Sequence, residues 1–357
     1  MKKYRRWLGS VFILVVIAIL AAAGITYYVD PFFRFREPRE SLYYANPPEA
    51  NANPGIVKNF SYDSILMGSS MTENFKVSWF QEEFGLNTIK ATSAGAAPKN
   101  LEILLSRAYE YHPDIQAVFW GIDVHTLFES ADKPRYSLPE YMYEEGLEND
   151  LKYVLYNDAF YRSIFNIVGT FRHQKSITRD DMYAWYEKRT FGKEVVLAEY
   201  SSRPNALLQN PDAKPMNYYE KDVKANFENL MKPLIEENPD TEFYFFFTPG
   251  SILFWYDAWI QGELDAYLYN EEYLMGELLQ YDNVSVFFFQ NDTDIICNLD
   301  NYADTYHYNI DVNHYMAKCF STGEHQVTAE NYKDAIQSLK NTVHTYNYSE
   351  IFTPSAD

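Results

Sequence analysis

The sequence predicts an α/β fold, a three-layer α/β/α sandwich around a five-stranded, mainly parallel sheet, preceded by an N-terminal transmembrane helix. Three observations predict it. Short apolar, β-rich runs alternate with helical patterns, as in βαβ units whose parallel sheet is covered on both faces. The runs end at glycine or polar turns, where such sheets carry their chemistry. A basic cluster, Lys2, Lys3, Arg5 and Arg6, precedes an uncharged and mostly apolar stretch from Trp7 to Val29.

Residues 1–29 read as a cytoplasmic stub and membrane anchor. About 20 apolar residues of helix cross a bilayer, and the basic cluster stays on the cytoplasmic side. Tyr27 and Tyr28 fit an interfacial belt, whereas Ala21-Ala22-Ala23-Gly24 would suit cleavage of a signal peptide; both readings place the following chain outside the cytoplasm. Residues 30–60, rich in proline and asparagine, read as a juxtamembrane linker wrapped on the domain, and 61–352 as the domain itself.

Within the domain the strands are Ser64–Met67 stopping at Gly68, Asn87–Ala91, Ala117–Trp120 stopping at Gly121, Phe243–Phe247 and Val284–Phe289. Helices are expected through Trp79 and Phe80 to Phe84, with Gly85 as the stop, and from Leu101 to about Tyr111. Residues at about 130–235 interrupt the alternation and read as a helical insertion.

Composition narrows the function. Among 357 residues, 30 Lys and Arg face 50 Asp and Glu, a net charge of −20 with no basic stripe beyond the N-terminus, which excludes nucleic-acid binding. The 32 Tyr and 25 Phe fit an aromatic core or, alternatively, platforms along a sugar-binding groove. Two cysteines, Cys297 and Cys319, cannot build a four-thiolate metal site, but an oxidising compartment permits a disulfide between them; two separate buried thiols are the alternative. His307 and His314, with Asp304 and Asp311 nearby, lack the spacing of a metal motif, so no metal and no cofactor is expected.

Two short motifs carry chemistry. Gly68-Ser69-Ser70-Met71 sits between a strand and a helix, where a serine hydroxyl can stand at the sheet edge and nearby amides can hold an oxyanion; the same residues also make an ordinary turn and helix cap. Asp311-Val312-Asn313-His314, after the last strand, can supply an imidazole oriented by a carboxylate; the alternative reading is a helix-capping Asp beside a surface His. A nucleophile after the first strand and an acid–base pair after the last can meet above a doubly wound sheet.

With these motifs in this order, the chain resembles the SGNH/GDSL hydrolase superfamily, in the divergent membrane-anchored branch that includes the D-alanyl-transfer protein of teichoic-acid modification and alginate-type polysaccharide O-acetyltransferases. The resemblance covers roughly 60–130 and 240–345 and leaves the insertion unmatched. It implies an SGNH/flavodoxin-like fold, with Ser70 as nucleophile, His314 and Asp311 completing the triad, and the amides of Ser70 and Gly95 forming the oxyanion hole. The third block departs from the family: Gly121-Ile122-Asp123 stands where Gly-x-Asn is usual. An ionised Asp123 cannot donate to an oxyanion, so it is protonated, structural or orients a neighbour.

The function so implied is an extracytoplasmic serine esterase or O-acyltransferase. Its partners would be a cell-envelope polysaccharide or teichoic-acid-like polymer and a membrane acyl-donor protein. The alternative is a catalytically inactive module of the same fold that binds glycan or an envelope-assembly partner. Thr248-Pro249-Gly250-Ser251 with Trp255 and Tyr256 reads either as a pocket rim or as a plain turn and helix. His125 contacts substrate or is structural, and Glu140–Glu145 reads as a solvated face.

Overall fold

Six strands lie in the order β2-β1-β3-β4-β5-β6 in the computed structural model, which describes residues 2–202 and 212–352. They are β1 (Ser64–Gly68), β2 (Thr88–Thr92), β3 (Ala117–Ile122), β4 (Glu242–Phe247), β5 (Val284–Phe288) and β6 (Gln326–Val327). The first five run parallel, with Leu66 opposite Phe119 and Phe119 opposite Tyr244. The sheet therefore has one strand more than expected: β6 pairs antiparallel with β5 through Val327 and Gln326. Two residues are too short to show an alternating pattern, which is why β6 is silent in the sequence.

The aromatic residues explain the core. Alternate positions of a strand face opposite layers. On one face, Phe119, Tyr244, Phe246 and Phe287 meet Phe80 and Phe84 of α3 (Val77–Phe84) and Phe320 of α8 (Ile310–Thr322). On the other, Trp120 packs on Phe245 and Phe247 on Phe288. This second face belongs to α4 (Pro98–Tyr111), α7 (Leu264–Leu278) and α9 (Tyr332–Thr345), whose buried stripes include Leu101, Leu105, Leu274, Leu278 and Leu339. Gly85 ends α3 in the left-handed conformation at φ 75°, as expected for a helix stop.

The N-terminal stretch forms one long helix, α1 (Lys2–Val29). It is long and apolar enough to cross a membrane, with mean hydropathy 2.8 in its most apolar window and none of that window buried. Residues 30–60 are more than a linker: they contain α2 (Glu49–Asn59), packed on α4 and β2, and bury Phe32, Phe33 and Tyr44. Asp30 ties the segment to the insertion, accepting from the amides of Arg34, Phe35 and Arg36 and from the Tyr153 hydroxyl. The insertion includes α5 (Leu147–Val154) and α6 (Asn157–Phe171), with further helices at Lys193–Ser201 and Glu220–Asn226. Glu140–Glu145 is not simply a solvated face. Met142 is buried, and Glu145 pairs with Lys58 and Arg107, which hold its carboxyl near pH 2 against the opposing effect of its partial burial.

Cys297 and Cys319 are both free thiols, which corrects the disulfide expectation. Cys319 lies in α8 with its sulfur 3.9 Å from Glu324, whereas Cys297 ends a separate short helix, Thr293–Ile296. Burial pushes the two thiols up, to about 11 and about 12 respectively.

Candidate active site

In strand order β2-β1-β3-β4, the connection after β1 leads to β2 on one side and the connection after β3 leads to β4 on the other, opening a crevice at the carboxyl ends of β1 and β3. The Ser69-Ser70 turn follows β1 and Asp123 follows β3, so the topology alone brings them together. The turn is tight because Gly68 takes φ +150°, and a Cβ there would fall 2.7 Å from the Thr72 side chain. Thr72 in turn hydroxyl-bonds back to the Ser69 carbonyl. The packing that sharpens the turn leaves Ser70 partly exposed while Ser69 is buried.

Ser70 Oγ lies 3.0 Å from Nε2 of His307. Nδ1 of the same ring lies 2.8 Å from Oδ2 of Asp304. Asp304 also accepts the amides of Tyr306 and His307, at 2.8 Å each, so the carboxylate shapes the loop that carries its own histidine. Burial alone would push the Asp304 carboxyl up. The His307 ring and these two amides outweigh it and hold the group at about 2.

His314 and Asp311 are therefore corrected. Both lie in α8, whose N-cap is Asn309. His314 stacks on Trp79 with ring centroids 4.5 Å apart, and Asp311 is exposed. A helical backbone points side chains three residues apart along the same outer face, so this pair cannot turn back onto Ser70. The signal that separates the two Asp-x-x-His pairs was present in the sequence: Asn309 and the spacing of Val312, Met316 and Phe320 announce a helix, which leaves Asp304 and His307 in the loop before it.

Gly95 occupies the tip of the turn after β2 at φ +67°, and Arg135 donates to its carbonyl at 3.2 Å. Among the described residues, neither the Ser70 nor the Gly95 amide donates to a protein acceptor. Asp123 does not serve as a donor at the hydroxyl of Ser70. It is buried, with one oxygen accepting from Ser69 Oγ and the other from Thr248 Oγ1 at 2.7 Å. Burial pushes its carboxyl up, offset in part by those two hydroxyls. Gln290 extends the network, donating to the Thr248 carbonyl and to Glu271.

The Thr248–Ser251 segment is a turn and a helix cap, with Ser251 Oγ accepting from the Phe254 amide. Trp255 is buried and Tyr256 packs on Tyr348, so neither forms a rim. His125 is open to solvent on one side but crowded by Phe254 and Tyr306, and burial, with the Arg135 and His307 charges, lowers its pKa. Sequence reasoning missed the insertion's contribution. Trp185 donates its indole N–H to the Ser70 carbonyl and stacks on Phe191, and Arg189 comes within 4.0 Å of Asp304. Nothing in their spacing marks these residues, because the contacts of Trp185 with Ser70 and of Arg189 with Asp304 each cross more than 100 residues.

No family model matches the chain. No curated protein matches it either. A solved structure from Streptococcus pneumonia, described as a candidate platelet activating factor, aligns over 77% of this chain and 90% of its own, at 12% identity and a TM-score of 0.38. The functional reading therefore rests on the site geometry. No group of three or more His, Cys, Asp or Glu side chains is arranged to hold a metal ion among the described residues.

Proposed function

We propose that the protein is a membrane-tethered serine esterase or O-acyltransferase, working outside the cytoplasm on ester-linked acyl groups. The observation that carries this reading is the unbroken chain Ser70 Oγ–His307 Nε2 and His307 Nδ1–Asp304 Oδ2. A binding module has no need of a hydroxyl, an imidazole and a carboxylate in series; a covalent acyl transfer does.

As Ser70 Oγ attacks an acyl carbonyl, His307 Nε2 takes its proton and the oxygen–carbon bond forms. Asp304 fixes the ring tautomer and balances the imidazolium charge. The free amides of Ser70 and Gly95 are the proposed donors to the tetrahedral oxyanion. His307 returns the proton to the departing alcohol as its carbon–oxygen bond breaks, leaving an acyl-serine. Water or an acceptor hydroxyl then repeats the steps in reverse.

The finer proposal is an envelope polysaccharide or teichoic-acid-like polymer as acceptor, with acyl groups supplied by a membrane acyl-donor protein. Two features support it: α1 would hold the site beside the membrane, and Trp185 with Phe191 offers aromatic surface beside His307 on which a sugar ring can lie. The test is release of a short acyl group from an activated ester by the wild-type protein and by Ser70→Ala at matched folding. Equal turnover by the two would reject the serine mechanism.

A further inference from the structure

The α5–α6 hairpin presents an apolar flank with no partner in the chain. Leu147, Leu151 and Leu155 of the α5 region recur at helical spacing and are all exposed; so are Tyr161, Phe165 and Phe171 of α6, the last at 81%. The other side of α6 is built from small and polar residues, Ala159, Ser163, Asn166 and Gly169, and faces the protein. Soluble surfaces scatter single apolar residues, whereas stripes on two adjacent helices mark a contact surface.

The depth of this flank follows from α1. The uncharged stretch from Trp7 to Val29 rises roughly 34 Å at ~1.5 Å per residue, a little more than a ~30 Å hydrocarbon core. Within α1, only Ala22, Ala23, Ile25, Thr26 and Val29 are covered by protein among the described side chains, and α6 and α5 are the helices packed there. The hairpin therefore sits level with the last two turns of the span. Arg36 and Arg39 mark the boundary, bonding the Tyr27 and Tyr28 carbonyls at the end of α1 and lying over those two rings at 4.5 and 4.7 Å. Arginine and tyrosine together at the end of an apolar helix belong at headgroup level. A cleft of about 700 Å³ opens on the same flank, lined by the rings of Tyr43, Tyr161 and Phe165 together with the charged Asp158 and Arg162.

We infer that the α5–α6 hairpin is a membrane foot, its apolar flank immersed in the leaflet nearest the folded domain and filled against by lipid. The inference rests on α1 crossing a bilayer, but not on the serine chemistry. With two contacts instead of one flexible tether, the domain is held in a fixed orientation and Ser70 at a fixed height above the membrane.

The test uses the full chain in phosphatidylcholine–phosphatidylglycerol nanodiscs. Nitroxide labels are placed singly through Leu151→Cys, Phe165→Cys and Phe171→Cys, with Val15→Cys as a deep reference and Gln337→Cys as a water reference. The parent chain, with its two high-pKa thiols, must take up no label. Collision with oxygen is compared with collision with a water-soluble nickel chelate by power saturation. The foot predicts oxygen accessibility several-fold above nickel accessibility at 151, 165 and 171, with the opposite ratio at 337. Water-like ratios at the three hairpin positions, with a deep reading at 15, overturn the foot and retain the anchor. Low accessibility to both reagents means that a protein, a second copy or another membrane protein, covers the flank, and overturns the lipid assignment. A water-like reading at 15 overturns anchor and foot together. None of these outcomes alters the ester assay of Ser70→Ala, so the two readings fail separately.

Discussion

Trp185 donates its indole N–H to the backbone carbonyl of Ser70 at 2.9 Å, and the same ring stands edge-on to His307, with planes at 88° and centroids 5.3 Å apart. One side chain from the insertion thus braces both the backbone of Ser70 and the ring of His307. Trp185→Phe keeps the edge contact and removes the hydrogen bond, whose net contribution is about 1 kcal/mol. The expected loss is therefore about fivefold in kcat with little change in KM, and Trp185→Ala should lose more. A change confined to KM would instead make Trp185 a substrate platform.

The two Asp-x-x-His pairs make opposite predictions. His307→Ala should lower turnover by several orders of magnitude, and Ser70→Ala with His307→Ala should be little worse than either alone, because each removes the same covalent route. His314→Ala should keep turnover within about twofold and cost stability of about 1 kcal/mol through loss of the Trp79 stack. Asp304→Asn should be severe and Asp311→Asn silent, as read by steady-state kinetics on an activated ester.

These contrasts show what the residues announced. Runs such as Phe243–Phe247 and Val284–Phe288 are strands because a buried parallel sheet favours nearly continuous apolar sequence, and Gly68 and Gly85 mark real stops. Ser70 was legible because a strand–turn–helix junction is a local feature. His307 was harder: two identical four-residue patterns lie seven residues apart, and only the recognition that one is helical separates them. Trp185 was not legible at all, since its role depends on where a long insertion folds back. The disulfide failed for a similar reason, because two cysteines carry no information about the direction of their side chains.

Asp123 is the position where the family pattern and this chain part. Its two oxygens accept from Ser69 and Thr248, and burial raises its pKa, so ionisation there is costly. Asp123→Asn should stay folded and active, because an amide can still accept from one hydroxyl and donate to the other. Asp123→Ala should lose roughly 1–3 kcal/mol, the penalty for leaving buried hydroxyls unpaired. Denaturant melts of the two variants distinguish a brace from a catalytic carboxylate.

Glu271 sets a pH dependence. It is fully buried, receives one hydrogen bond from Gln290, and burial raises its carboxyl from 4.5 to about 8. The folded protein therefore retains a proton that the unfolded chain releases. The resulting stability is fully present below the unfolded value near 4.5 and is lost as pH rises towards 8, with a slope of at most ~1.4 kcal/mol per pH unit. Glu271→Gln should reduce the slope of the stability profile across pH 5–8, measured by chemical denaturation, while Glu73, whose carboxyl burial also raises to about 8, keeps its own share of that slope. An unchanged profile would show that another group sets it.

The central claim is that Ser70 is a nucleophile activated by His307. Its most direct measurement is reaction of the intact protein with a fluorophosphonate, followed by mass-spectrometric assignment of the modified residue. The account predicts a single phosphonylated site at Ser70, abolished by His307→Ala and preserved by His314→Ala. Absence of labelling on folded protein, labelling at a different serine, or labelling of Ser70 that survives His307→Ala at the wild-type rate would contradict it.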